Sequence, residues 1–341
     1  TPQHQTAAPG DRPIASALLD ATLFYEILLG EIVTREGDPG TGYALVLEAA
    51  RRSNDERLFQ RATDIALQAR AGDQALAAAQ AWKQATPQST DANRYVLQIL
   101  IALNRIDDIP TPLREMLDQT PDAEKPGMLL ALPQLLRRAP DKAQAARMLE
   151  KALNTELRAE GAAAAAAWTA IGRMRLQAQD ATGALDAARR GQASHAQADG
   201  PAVLALELME NGTADAEPLL TAYLQQRPSP EVRMAYARLL LEQQRYPEAR
   251  SQLKAVTTEK PDLPQAWLAQ AALQVQDQQY EAAEASLGEL LRLAKSSPDN
   301  ETLRASLTQA YLLHAQIAEK RGDYAAAEQW LQRIEDGTEL F

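Results

Sequence analysis

Cysteine is absent from the sequence, which excludes disulfide scaffolds, thiolate metal sites and cysteine nucleophiles. Histidine is nearly as scarce, with 3 in 341 residues scattered along the chain. A catalytic triad or a zinc site needs several such groups to converge. No apolar run approaches the roughly 18 residues of a membrane-spanning helix. We therefore expect no catalytic residue, no metal and no cofactor.

Positive charge is also in deficit. The chain has 35 Lys and Arg against 46 Asp and Glu, a net charge of −11. A nucleic-acid partner is not expected, because binding phosphates needs a basic surface. A basic partner, or simply solubility, explains the acidity. Aromatic residues are few, at 5%, and alanines are many, which favours helices packed closely together.

One pattern occurs twice in succession. It reads RYPEA at 245–249 and QYEAA at 279–283, so Tyr246 and Tyr280 lie 34 residues apart. With tryptophan at the fourth position of the second unit and small residues at the eighth position of both, this period resembles the tetratricopeptide repeat. In such repeats two antiparallel helices bury their apolar faces by stacking on the next pair. The resemblance implies an all-α fold, a right-handed α-α superhelical solenoid of about nine TPR-like helical hairpins.

The chain is predicted to have two parts. Residues 1–17 contain prolines and polar residues without a helical period, which predicts a disordered N-terminal tether. Residues 18–341 are predicted to form the solenoid, which we expect to continue beyond Phe341 because the last residues are apolar. Asp20 is the expected N-cap of the first helix, over about 21–35. Its apolar face should comprise Leu23, Ile27, Leu28 and Ile32.

Three local departures from regular helix are expected. Residues 37–42 predict a long turn; their glycines lack the Gly-Lys-Ser/Thr of a phosphate loop and follow a helix. Pro133 should kink or break its helix, since proline has no N–H. About ten extra residues around 293–301 lengthen the last repeat.

A narrower resemblance covers residues 20–90. The segments LFYEILLGEI at 23–32, EAARR at 48–52 and RATDIA at 61–66 are similar to the opening repeats of proteobacterial outer-membrane TPR lipoproteins. The resemblance implies a periplasmic location, with membrane attachment only through a lipid anchor absent from this sequence. Members of that family serve as adaptors of carboxyl-terminal-processing proteases and present cell-wall hydrolases for degradation. These partners are expectations from resemblance alone.

The leading hypothesis is a non-catalytic scaffold that binds a protein or peptide on its concave face. In the repeat family, recurring positions of the first helix of each pair point there, and in this sequence they are Arg173, Gln177, Met234, Arg238, Glu242, Leu268, Gln276, Gln316 and Glu319. The plainer interpretation is that these residues form solvated helix faces. A structural role in an envelope assembly, or a TPR module severed from a larger enzyme, stays open as an alternative.

Overall fold

The computed structural model describes residues 12–296 and 301–336, and every regular element within these ranges is helical. The prediction of an all-α chain is confirmed. The helices are α1 Arg12–Arg35, α2 Pro39–Ser53, α3 Glu56–Gln68, α4 Gly72–Ala85, α5 Thr90–Ala102, α6 Pro110–Gln119, α7 Lys125–Leu135, α8 Lys142–Ala152, α9 Asn154–Leu157, α10 Ala162–Gln177, α11 Ala181–Ser194, α12 Asp199–Glu210, α13 Glu217–Gln226, α14 Pro230–Glu242, α15 Tyr246–Glu259, α16 Pro264–Gln276, α17 Tyr280–Ser296, α18 Glu301–Lys320 and α19 Tyr324–Asp336. Short 3-10 turns occur at Ile106–Asp108, Leu136–Arg138 and Ala214–Ala216.

The chain divides into two compact units, Thr1–Gly200 and Pro201–Phe341. In the first unit, α1 packs on α2, α3 on α4, α5 on α6 and α10 on α11, and each of α2 and α4 also packs on the helix that follows it. In the second unit the pairs are α14 with α15, α16 with α17 and α18 with α19, and α15 and α17 again pack on the next helix. Each unit is therefore a stack of helical hairpins, as the repeat predicts.

The same turn closes eight of the hairpins. A residue of positive φ ends the first helix, and the next N–H donates to the carbonyl five residues earlier, at 2.8 to 3.1 Å. This is the Schellman pattern, which satisfies a helix-end carbonyl. The positive-φ residues are Gly37, Arg70, Asn104, Gln179, Gly212, Gln244, Gln278 and Gly322. The turns after Gln244 and Gln278 place the starts of α15 and α17 at Tyr246 and Tyr280, so the predicted period is confirmed.

Small residues lie where the helices of a hairpin approach each other. Ala237 and Ala249 are fully buried in the hairpin of α14 and α15, and Ala271 and Ala283 are fully buried at the same places one repeat later. The large side chain that completes the packing in the first of these hairpins is Leu253, also fully buried. Alternating small and large side chains fill the interior without voids.

The first helix begins earlier than the sequence predicts. It starts at Arg12, so residues 12–17 of the predicted tether are helical and Asp20 lies inside the helix rather than at its N-cap. Pro13 stands in the first turn, where the missing N–H of proline costs no helical hydrogen bond. The remainder of the predicted tether, residues 1–11, lies outside the described residues.

The buried face of α1 also differs from the prediction. Leu23 and Ile27 are half-buried, but Leu28 and Ile32 are exposed. The reason is that α1 approaches α2 closely at Gly30. If this glycine had a Cβ atom, that atom would lie only 2.8 Å from a methyl carbon of Val46. This close approach turns the opposite side of the helix outward.

The glycine-rich turn is shorter than predicted, and the helix that contains Pro133 ends two residues after the proline. The turn over 37–42 ends early, since α2 already starts at Pro39 and Asp38 caps it by accepting a hydrogen bond from the Thr41 N–H at 3.0 Å. Pro133 does not break α7 at once. The helix continues to Leu135 and then tightens into the 3-10 turn Leu136–Arg138. The extra residues near 293–301 lengthen α17 and α18.

We expect Ala249→Leu to destabilise the protein by about 1–3 kcal/mol, because the added volume must separate α14 from α15. Urea denaturation followed by circular dichroism measures the effect. Ala272→Leu is the matched control, since Ala272 is exposed on α16 and its change should stay within about 0.5 kcal/mol. Equal stability of the two variants would contradict the close approach at Ala249.

Candidate functional site

The predicted partner-binding residues lie on the first helices of hairpins, and six of the nine are exposed. Gln177 is at the end of α10 in the first unit. In the second unit the exposed members are Arg238 and Glu242 on α14, Gln276 at the end of α16, and Gln316 and Glu319 on α18. Their i, i+3 and i, i+4 spacing puts the residues of each helix on one side of it. The surface is polar and carries both charges.

The other three predicted residues are less accessible. Met234 has a relative exposure of 6%, so its side chain is part of the interior of the second unit rather than a partner-binding surface. Leu268 is half-buried and packs against the apolar cluster that contains Ala271 and Leu287. Arg173 is half-buried on α10. The prediction that Met234 contacts a partner is therefore corrected. Its repeat position faces outward in the family, but in this chain the side chain is buried.

A recurring ion pair connects successive hairpins. Arg105, in the turn before α6, lies 2.7 Å from Asp73 at the start of α4. Arg245, in the turn before α15, pairs at 2.7 Å with Glu217 at the start of α13. In the last hairpin Arg321, which precedes rather than follows the positive-φ residue, pairs with Glu284 of α17 at 2.8 Å. These contacts connect the second helices of neighbouring hairpins.

Glu217 is the centre of the most connected of these pairs. Its two carboxylate oxygens accept hydrogen bonds from the two terminal nitrogens of Arg245, at 2.7 and 3.1 Å, and a further bond from the Tyr236 hydroxyl. The bonds from Arg245, aided by that from Tyr236 and opposed by burial, hold the pKa of Glu217 below its ordinary value of 4.5. The carboxylate is therefore ionised at neutral pH and tied to two other elements of its unit.

A cleft opens between α5 and α7 in the first unit, with a volume of about 520 Å³. Leu97 and Leu132 form its buried floor, and Met116 and Met128 are half-buried at its walls. Other lining residues are Arg94, Gln98, Ala131, Gln134, Leu135, Arg137 and Arg138. The repeat pattern of the sequence does not indicate this cleft. The available signals are the proline inside α7, two nearby methionines and a pair of adjacent arginines.

The described residues contain no group of three or more His, Asp or Glu side chains placed to hold a metal ion. In the same part of the chain no helix is long and apolar enough to cross a membrane. His314 is a packing residue: it is buried, and its ring stacks on Trp330 with 4.1 Å between centroids. Burial lowers the pKa of His314.

Comparison with known proteins supports a repeat fold. Residues 207–273 match the model of the tetratricopeptide repeat family, and this stretch runs from the end of α12 into α16. The prediction of such repeats is confirmed for these residues. No curated protein matches the sequence significantly.

Solved structures overlap with larger parts of the chain. The pilF protein of Pseudomonas aeruginosa is 16% identical, with 63% of this chain and 92% of that chain covered at a TM-score of 0.41. The C-terminal part of a TPR repeat-containing protein of Cytophaga hutchinsonii is 16% identical, with 73% and 96% covered at a TM-score of 0.48. Yeast Tom70 is 11% identical, with 93% and 76% covered at a TM-score of 0.38. At these scores the overlaps identify neither a partner nor an activity.

We expect Glu217→Gln to lower the free energy of unfolding at neutral pH by roughly 1–2 kcal/mol, since the charged hydrogen bonds to Arg245 are weakened at a partly exposed site. The difference should depend on pH. The pKa of Glu217 is lowered in the folded state, so its stabilisation is present above about pH 4.5 and is lost as pH falls further.

Chemical denaturation of both proteins across this pH range measures the effect. The two unfolding free energies should converge in acid. Glu242→Gln, at an exposed position of α14, is the matched control and should show no such convergence. A constant gap between wild type and Glu217→Gln at all pH values would show that the loss is not electrostatic.

Proposed function

We propose that this protein is a non-catalytic adaptor of the bacterial envelope, held at the outer membrane by a lipid in its full-length form. In this role it delivers cell-wall hydrolases to a periplasmic carboxyl-terminal-processing protease. The proposal starts from the resemblance of residues 20–90 to adaptor lipoproteins. It requires two separate binding surfaces, one for the protease and one for the substrate.

An exposed apolar stripe on α1 is the observation that supports the first surface. Phe24, Leu28 and Ile32 have relative exposures of 67%, 46% and 43% and follow one another at every fourth residue, so they share one side of the helix. The adjacent Tyr25 is 63% exposed. Exposed apolar patches of this kind are typical of protein interfaces. We assign this stripe to the protease.

The exposed polar residues on later first helices support the second surface. Arg238 and Glu242 on α14, and Gln316 and Glu319 on α18, present hydrogen-bonding groups and both charges. Such a surface suits a folded or extended protein client better than a small apolar ligand. An adaptor that holds two proteins raises their effective concentration for each other, and this needs no chemistry from the adaptor itself.

Reconstitution tests the proposal. Purified protease and hydrolase from the same organism are mixed with and without this protein, and hydrolase cleavage is followed in time. We expect cleavage to accelerate with the adaptor present. Phe24→Glu/Leu28→Glu should abolish the acceleration and the binding to protease measured by analytical ultracentrifugation, because charges on the stripe oppose its burial.

Leu312→Glu/Tyr324→Glu is the matched control, since these exposed residues of α18 and α19 have relative exposures of 49% and 72% and lie in the other unit. It should retain protease binding. Unchanged cleavage, together with no binding to the protease at micromolar concentration, would reject the delivery role and leave a scaffold for another client.

A further inference from the structure

We propose that the cleft between α5 and α7 binds an acidic peptide segment of a partner protein, which inserts one bulky apolar side chain. The proposal deepens the scaffold function and rests on it only in taking a protein segment as the ligand. It requires neither the protease nor the hydrolase. Its failure is therefore distinguishable from failure of the delivery role.

The interior of the cleft favours an apolar side chain. Leu97 and Leu132, at 1% and 3% exposure, close the bottom, while Met116 and Met128 form walls that can adapt because methionine is unbranched and polarisable. The volume of about 520 Å³ is within the range of ligand-binding pockets, roughly 300–1,000 Å³. An aromatic or large aliphatic side chain fits such a space.

The cleft arises where the segment of α7 and α8 departs from the repeat, since α7 packs on α10 rather than on α8. The connection between α7 and α8 has no residue of positive φ and hence no Schellman turn; it runs through the 3-10 turn Leu136–Arg138 instead. Pro133 cannot donate a hydrogen bond to the Leu129 carbonyl, which weakens the last turn of α7. The end of α7 and the 3-10 turn carry Leu135, Arg137 and Arg138 at the edge of the cleft. The cleft is thus a feature of this segment and not of the repeat.

The rim is positively charged in a chain of net charge −11. All the charged residues that line the cleft are arginines: Arg94, Arg137 and Arg138. Arg94 has Asp91 at 2.8 Å as a partner on the same helix. For Arg137 and Arg138 the described part of the chain offers no carboxylate within 4.0 Å of a guanidinium nitrogen. Guanidinium groups free to bind carboxylates select an acidic ligand.

A peptide fits the rim better than a fatty acid does. The arginines come from two elements, α5 and the 3-10 turn that follows α7. Acidic residues on either side of an apolar one offer a carboxylate to each element, whereas a fatty acid has only one carboxylate. Gln98 and Gln134 add exposed amides at the same edges. Side-chain amides donate to and accept from peptide groups, which an acyl chain does not contain.

Fluorescence anisotropy with defined peptides tests the site on the full chain. The probe is a labelled peptide of about 12 residues with a central phenylalanine flanked by glutamates. Two matched peptides replace the phenylalanine by alanine or all glutamates by glutamine. We expect the probe to bind with micromolar affinity that weakens as salt rises, and each matched peptide to bind at least tenfold more weakly. Equal binding of all three peptides, or none at millimolar concentration, would overturn the proposal.

Variants locate the binding. Arg137→Glu/Arg138→Glu should weaken probe binding at least tenfold, and Ala131→Phe should do the same by filling the cleft from an exposed position. Arg158→Glu/Arg189→Glu, at exposed positions of the same unit outside the cleft, changes the net charge equally and should leave binding within twofold of wild type. Thermal melts establish that all variants are folded. Equal loss in the control pair would show unspecific attraction and overturn the site.

Photo-crosslinking gives an independent readout. A probe with benzoylphenylalanine at its centre should form adducts on Met116 or Met128, which mass spectrometry identifies after digestion. Adducts confined to other parts of the chain would overturn the assignment. Decanoate is the competing ligand: if it displaces the probe at equal concentration and with the same sensitivity to Arg137→Glu/Arg138→Glu, the occupant is a small amphiphile and the peptide proposal is wrong.

Discussion

The turn between the two helices of a hairpin is the constraint on which the rest of this structure depends. One residue in the left-handed region and one hydrogen bond over five residues fix where the second helix starts. Five of the eight residues that hold this conformation are not glycine, although L-residues adopt it at a cost of roughly 1–2 kcal/mol. The packing of paired helices must outweigh that cost. Fully buried alanines such as Ala249 and Ala283 let the paired helices approach closely, and this close packing offsets the cost of the turn.

This constraint explains which features were predictable from the sequence. Tyr246 and Tyr280 lie one repeat apart because the same turn precedes both, so a spacing in the sequence corresponds to a spacing in the structure. The orientation of a helix is harder to predict. Leu28 belongs to the apolar pattern of α1 but is exposed, because the contact through Gly30 decides which side faces α2. The burial of Met234 is not predictable for a similar reason: a position in the average repeat does not specify the neighbours of that residue in one particular hairpin.

The cleft lies where the chain departs from the regular repeat. The regular hairpins of the two units share turns and alanine contacts. The segment of α7 and α8 lacks the regular turn, α7 packs on α10, and the cleft beside Leu135 is found there. Sequence periodicity does not reveal such a site, because the site lies at positions where one segment differs from the other repeats. Pro133 is the residue that marks the exception.

The charge of the cleft also differs from the charge of the chain as a whole. The net charge of −11 argues against a nucleic-acid partner, but it does not determine what binds at one cleft. Exposed charges farther apart than about 8–10 Å are screened at physiological salt, so the neighbouring groups decide the local potential. Acidic residues such as Glu217 and Asp73 are neutralised by the arginines that connect hairpins. Arg137 and Arg138 line the cleft without a comparable partner in the described part of the chain, so an acidic protein can still carry a site selective for acidic ligands.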